Sequence, residues 1–210
     1  MKNGIRVLRY SFWKPGGEER EPDIGFAGSR FGRRLSMVSR MTIRVLHDIM
    51  PLPEETKIFF VSLRGELNRQ FGINKTLIEE GEISPAAFSL SVFNAPPALA
   101  SMALDLRAGY TALYPGGDDF SSALAAAAAP LLAGSAASIA LVYADETPVP
   151  EYRPLIPPSP EAADSSALVF AALLCAGDSP QTPGGGDFSA WKNVKSPEAF
   201  LKALRETESP

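Results

Sequence analysis

Two short runs in this 210-residue chain are apolar at nearly every position rather than at alternate ones: residues 58–63 (IFFVSL) and 138–143 (SIALVY). A strand with one face in water alternates apolar and polar side chains. A strand buried on both faces reads as a continuous apolar run, the usual signature of a parallel sheet covered by helices. Such strands cannot be satisfied by a two-layer hairpin fold. They require helices above and below, so the chain is expected to be an α/β protein with a largely parallel sheet.

The segments between the runs fit that expectation. Residues 5–13 (IRVLRYSFW) are β-branched and aromatic and predict a first strand. Over residues 36–50, Met37, Met41, Val45 and Ile49 recur every fourth position, with Val38 and Leu46 beside them, which predicts a helix stopped by Pro51 and Pro53. Residues 66–80 read as a helix with Gly72 inside it, a residue that weakens a helix interior. A further helix is expected over 98–106 and a strand over 110–114. Pro115, Gly116 and Gly117 then form a turn into a helix from Phe120 to about Ala129. Asp118 or Asp119 would cap it, since a carboxylate there accepts amide hydrogen bonds at the positive dipole end. This helix is apolar nearly all round and should be buried between layers, with Pro130 kinking or ending it.

The composition shifts after Pro148. Six prolines fall within residues 148–163, one more apolar run follows at 167–176, and residues 196–206 have amphipathic helical spacing. The expected organisation is therefore a domain over residues 1–150 and a Pro/Gly-rich extension over 151–210 carrying one strand and a short terminal helix. The longest small-residue run, 123–133, falls well short of the roughly 20 residues that span a bilayer, and the first residues lack a signal peptide's apolar stretch. A cytoplasmic protein without a membrane span is the reading. A formal charge of −4 argues against a nucleic-acid binder, which needs a basic face.

Chemistry-bearing residues are few. One cysteine, Cys175, and one histidine, His47, exclude a disulfide framework, a multi-cysteine zinc site and any site needing two histidines. No metal or cofactor is expected. Cys175 lies in an apolar run and reads as an inert thiol. His47 lies near a helix C-terminus, where it would interact with the dipole. Ser62 and Ser91 lack a nucleophile-elbow context. Gly116 and Gly117 could suggest a phosphate cradle, but Asp118 and Asp119 would repel phosphate, so a tight turn with a capped helix is preferred. Arg33, Arg34 and Arg40 read as a solvated basic group. Glu79, Glu80 and Glu82 read as an exposed turn.

A longer pattern carries a resemblance. Residues 84–146 read SPAAFSLSVFNA, then GYTALYPGGDDFSSAL, then LAGSAASIALVYADE; RLSMVSR precedes at 34–40 and FVSLRGE at 60–66. In order and spacing, over roughly residues 23–152, these resemble the N-terminal half of β-ketoacyl synthases. They look most like the small chain length factors of aryl-polyene type. The resemblance implies half of a thiolase-like fold, with a mostly parallel mixed sheet and a buried Ala-rich helix. In true ketosynthases the turn before that helix bears the nucleophilic cysteine, activated by the helix dipole. Here the matching position is Gly117, or Gly116 in the neighbouring register. The two catalytic histidines, which the family supplies from its C-terminal half, have no counterpart.

The resemblance thus implies a chain that does not catalyse condensation alone. It would pair with an active β-ketoacyl synthase in fatty-acid or polyketide-type biosynthesis and shape the acyl tunnel, with substrate arriving on an acyl carrier protein. The narrower family commonly has histidine where this chain has Phe93. Val92, Phe93, Asn94 and Pro96 are therefore candidates for the tunnel end or the subunit interface. The Ala-rich helix of a half-fold would be partly uncovered, which favours a partner subunit. The alternative is a stand-alone acyl-binding or self-associating scaffold protein, a homodimer included.

Overall fold

The computed structural model describes residues 4–16, 20–116, 119–155, 167–177 and 194–206. A five-stranded sheet runs in the order β1-β5-β4-β2-β3. Its strands are β1 (Ile5–Trp13), β2 (Lys57–Val61), β3 (Tyr110–Leu113), β4 (Ser138–Asp145) and β5 (Leu168–Ala176). β4, β2 and β3 are parallel, with Phe59 opposite both Leu141 and Thr111. β5 lies antiparallel between β4 and β1. The sheet is thus mixed, and the strand from the proline-rich half of the sequence occupies its interior.

The continuous apolar runs are explained by two cores. On one face Ile58, Phe60, Ala140 and Val142 meet helices α2 (Met37–Asp48) and α5 (Ala95–Ala103). On the other, Phe59, Val61, Leu141 and Tyr143 meet α6 (Phe120–Leu132) and α7 (Pro197–Glu206). All eight residues of β4 are buried. Burying a Leu-sized side chain contributes about 1.5–3 kcal/mol, so the central strands hold the layers together. Three further helices, α1 (Ser29–Gly32), α3 (Leu67–Glu80) and α4 (Pro85–Ser89), lie in the connections.

Several boundaries differ from expectation for local reasons. α3 passes through Gly72 unbroken; it has no buried residue, so Gly72 leaves no packing gap, and the helix ends at Gly81 with φ +77°. α5 starts at Ala95, three residues early, because Pro96 and Pro97 suit a first turn whose N–H groups have no helical partner. Pro130 does not end α6. It removes only its own hydrogen bond; Ala133 N–H still donates to Ala129 O at 2.9 Å, Leu131 is buried, and the helix closes before Gly134 at φ +71°.

α6 is buried on one side rather than all round. Phe120, Ala123, Leu124, Ala127, Ala128 and Leu131 face the sheet, while Ala125, Ala129 and Leu132 are exposed. Part of this face is covered by α7, whose Phe200 ring lies 5.8 Å from that of Phe120. The Phe120 N–H donates to Lys195 O at 2.9 Å, tying the start of α6 to the segment leading into α7.

Candidate functional site

The parallel strands β2, β3 and β4 end on the same edge of the sheet, and the loops that follow them meet there. β4 ends in Asp145, which is buried. Its carboxylate accepts from Ser62 Oγ at 2.6 Å, from Leu63 N–H at 3.1 Å, from Arg64 N–H at 3.0 Å, and from the Tyr143 hydroxyl. Ser62 Oγ in turn accepts from Gly65 N–H at 2.6 Å and Arg64 N–H at 3.2 Å. One carboxylate therefore fixes the whole turn between β2 and α3. Burial pushes the Asp145 carboxyl up from its ordinary value, and the bonds from Ser62 and Tyr143 oppose that rise. Burial, with the neighbouring Asp145 charge, raises the Tyr143 hydroxyl well above its usual range, so it acts as a donor.

A second buried carboxylate follows at once. Glu66 Oε1 accepts from Ser36 Oγ at 2.6 Å and Ser39 Oγ at 3.1 Å, and Oε2 lies 3.3 Å from Arg69 Nε. Ser36 is also the N-cap of α2, accepting from Ser39 N–H at 3.0 Å. Glu66 thus joins the start of α2 to the start of α3. Its carboxyl is raised by burial against those partners. Glu146, next along from Asp145, is raised to about 7 by burial first and then by the Glu66 charge. Asn68 completes the join, donating to Thr147 O at 2.8 Å and accepting from Val149 N–H at 2.9 Å.

Phe93 leans on this turn. A Cβ built on Gly65 would lie 2.7 Å from Phe93 Cδ2, so the ring rests directly on the Gly65 backbone. The ring also meets Phe60 edge-on, with centroids 6.1 Å apart. Asn94 is exposed and its side-chain amide donates to Tyr110 Oη at 3.1 Å. Pro96 is buried in the first turn of α5, and Val92 is exposed. The four residues fall within positions 92–96, and Phe93 is the one that lies against Gly65.

The turn before α6 contributes Pro115, which is buried, and Gly116, which is exposed. Gly117 and Asp118 lie outside the described residues. Asp119 is the N-cap, accepting from Ser121 N–H at 3.0 Å, and hydrogen bonding from the Ser121 side chain and then its backbone holds the carboxyl below its ordinary value. Phe93 packs against the core on the α2/α5 face and Phe120 lies in the core on the α6 face, so the sheet separates Phe93 from Phe120. Cys175 is half-buried opposite Ser138 at the start of β4, the far end of that strand from Asp145. His47 sits in the last turn of α2 as expected, stacked on Phe26 at 3.8 Å. Arg33 and Arg34 are exposed, whereas Arg40 donates to Gly32 O at 2.9 Å.

Sequence reasoning missed Ser62, Glu66, Tyr143 and Asp145 as a unit. The signal present was polar residues closing two otherwise apolar strands: Ser62 after IFFV and Asp145-Glu146 after SIALVYA. Among the described residues, no three His, Cys, Asp or Glu side chains form a cluster suited to a metal ion.

The chain is a mixed α/β unit whose five-stranded sheet is covered by helices on both faces. Residues 13–202 match the model of the β-ketoacyl synthase N-terminal domain, and the chain belongs to that family. Solved structures share the fold. A chain of the complex between ketosynthase ApeO and its chain length factor ApeC from Xenorhabdus doucetiae superposes with a TM-score of 0.70 at 17% identity, covering 99% of this chain and 92% of that one. A chain of the ishigamide ketosynthase/chain length factor gives 0.65 at 12% identity, covering 86% of this chain and 64% of that one. The module 1 ketosynthase of the bacillaene synthase from Bacillus amyloliquefaciens FZB42 gives 0.58 at 14% identity, with 89% and 44% covered. No curated protein matches the sequence. Among the described residues, no helix is long and apolar enough to cross a membrane.

Proposed function

We propose that this chain is a non-catalytic, chain-length-factor-like subunit that pairs with an active β-ketoacyl synthase and shapes the tunnel for an acyl chain delivered on an acyl carrier protein. One observation carries the reading. The chain has a ketosynthase-type fold, yet its single cysteine lies at the start-of-β4 end of the sheet, and the turn leading into α6 holds glycine where the family's nucleophile stands. The helix start at which the family's thiol is activated therefore carries no sulfur here. Solved ketosynthase/chain length factor complexes with the same fold support a two-subunit arrangement.

Within that reading Phe93 plugs the tunnel end, with Val92, Asn94 and Pro96 forming the surrounding wall or subunit contact. Reconstitution with a ketosynthase and carrier protein tests it. Product should require both subunits, Phe93→Ala should lengthen the product, and Gly117→Cys should leave the isolated chain inactive. Product formation by the isolated Gly117→Cys chain, or unchanged products with Phe93→Ala, would contradict it. The exposed outer side of α6, at Ala125, Ala129 and Leu132, favours a second reading in which two copies associate there as an acyl-binding scaffold.

A further inference from the structure

We propose that Gly65 is a positioning residue that sets product length through Phe93, an inference that rests on the tunnel-plug reading of Phe93. The geometry gives Gly65 two independent constraints. Its φ of +54° lies in the left-handed region that side chains with a Cβ rarely adopt. A Cβ there would also stand 2.7 Å from Phe93 Cδ2 and 3.2 Å from Cε2, closer than carbon atoms pack. The backbone beneath the ring cannot yield easily. Gly65 N–H donates to Ser62 Oγ at 2.6 Å, and Ser62 Oγ donates to the buried Asp145 carboxylate at 2.6 Å. Leu63 and Arg64 N–H groups hold the same carboxylate.

The turn is therefore a fixed shelf and the ring is the movable part. Phe93 is only half-buried, so its ring, rather than the turn, is what gives way when a methyl is added at residue 65. The loss of a side chain at 93 and the gain of one at 65 should act in opposite directions: the first deepens the tunnel, the second shortens it. Gly65 touches no acyl chain in this scheme. It acts only by where it lets Phe93 rest.

The test uses the full chain assembled with an active ketosynthase and carrier protein, at matched amounts of complex, with products read by mass spectrometry. Gly65→Ala should shift the main product to one extension unit shorter, changing the ratio of neighbouring products about tenfold, the low end of what one methylene discriminates in an apolar pocket. Phe93→Ala should shift it longer. The double variant should match Phe93→Ala, because the added methyl then has no ring to displace. Wild-type products from Gly65→Ala, with a shift from Phe93→Ala, would overturn the role of Gly65 and leave the plug intact. No shift from either variant would overturn both. If Gly65→Ala does not assemble, Ser62→Ala serves. It frees the Gly65 N–H without adding volume and should broaden the product distribution; an unchanged single product would overturn the proposal.

Discussion

Replacing Asp145 with alanine removes the group that closes the β2–α3 turn, and the structure sets the size of the loss. Four donors lose their acceptor. The Ser62 and Tyr143 hydroxyls can rotate toward other acceptors. Arg64 N–H keeps Ser62 Oγ at 3.2 Å. Leu63 N–H is backbone and stays orphaned. One fully orphaned buried donor costs about 1–3 kcal/mol, and the weakened bonds to a charged acceptor add about 1.5–3 kcal/mol. Relief of the carboxylate's own burial, which raises its pKa, offsets part of this. The net expectation is a loss of about 2–4 kcal/mol, a large fraction of the ~5–15 kcal/mol that stabilises an ordinary domain. Guanidinium unfolding followed by far-UV circular dichroism measures it: the midpoint should fall with the slope unchanged. Asp145→Asn keeps one acceptor oxygen and should fall between. A loss below about 1 kcal/mol for Asp145→Ala, under the cost of a single orphaned donor, would refute the reasoning that this carboxylate holds the turn.

Glu146 should make stability depend on pH. Its carboxyl is raised to about 7 in the folded chain, above the ordinary ~4.3 of an unfolded glutamate. The folded state therefore keeps a proton that the unfolded state releases, and this contribution falls as pH rises between those values. At about 1.4 kcal/mol per unit the span is at most ~3.7 kcal/mol, reduced by the side chain's partial exposure. Glu146→Gln should flatten the slope of stability between pH 5 and 8; an unaltered slope contradicts the assignment. Ser36→Ala removes both the α2 cap and a partner of buried Glu66, and should cost about 1–2 kcal/mol in the same unfolding assay; no change would show that the α2–α3 join does not depend on Ser36.

Much of the fold was legible because it rests on local pattern. The apolar runs marked β2 and β4, and the fourfold spacing from Met37 to Ile49 marked α2. What could not be read was pairing across long separations. Nothing local says that Phe170 will lie opposite both Phe12 and Tyr143, or that the last strand will enter the sheet antiparallel. The site suffered from the same limit. Ser62 and Asp145 lie 83 residues apart and meet only because β2 and β4 are parallel neighbours with Val61 opposite Tyr143. In sequence Ser62 is only a serine without a nucleophile-elbow context, whereas the fold makes it the link between a carboxylate and a glycine turn. The resemblance points to Phe93 from sequence alone, but only the folded chain brings Gly65 beneath its ring, across 28 positions of sequence.

The most direct test of the subunit role is the mass of the purified complex after this chain is co-expressed with the ketosynthases encoded near it. A stable one-to-one assembly with a ketosynthase is expected. A chain that remains a monomer, or pairs only with itself in the presence of every such ketosynthase, would contradict the subunit role.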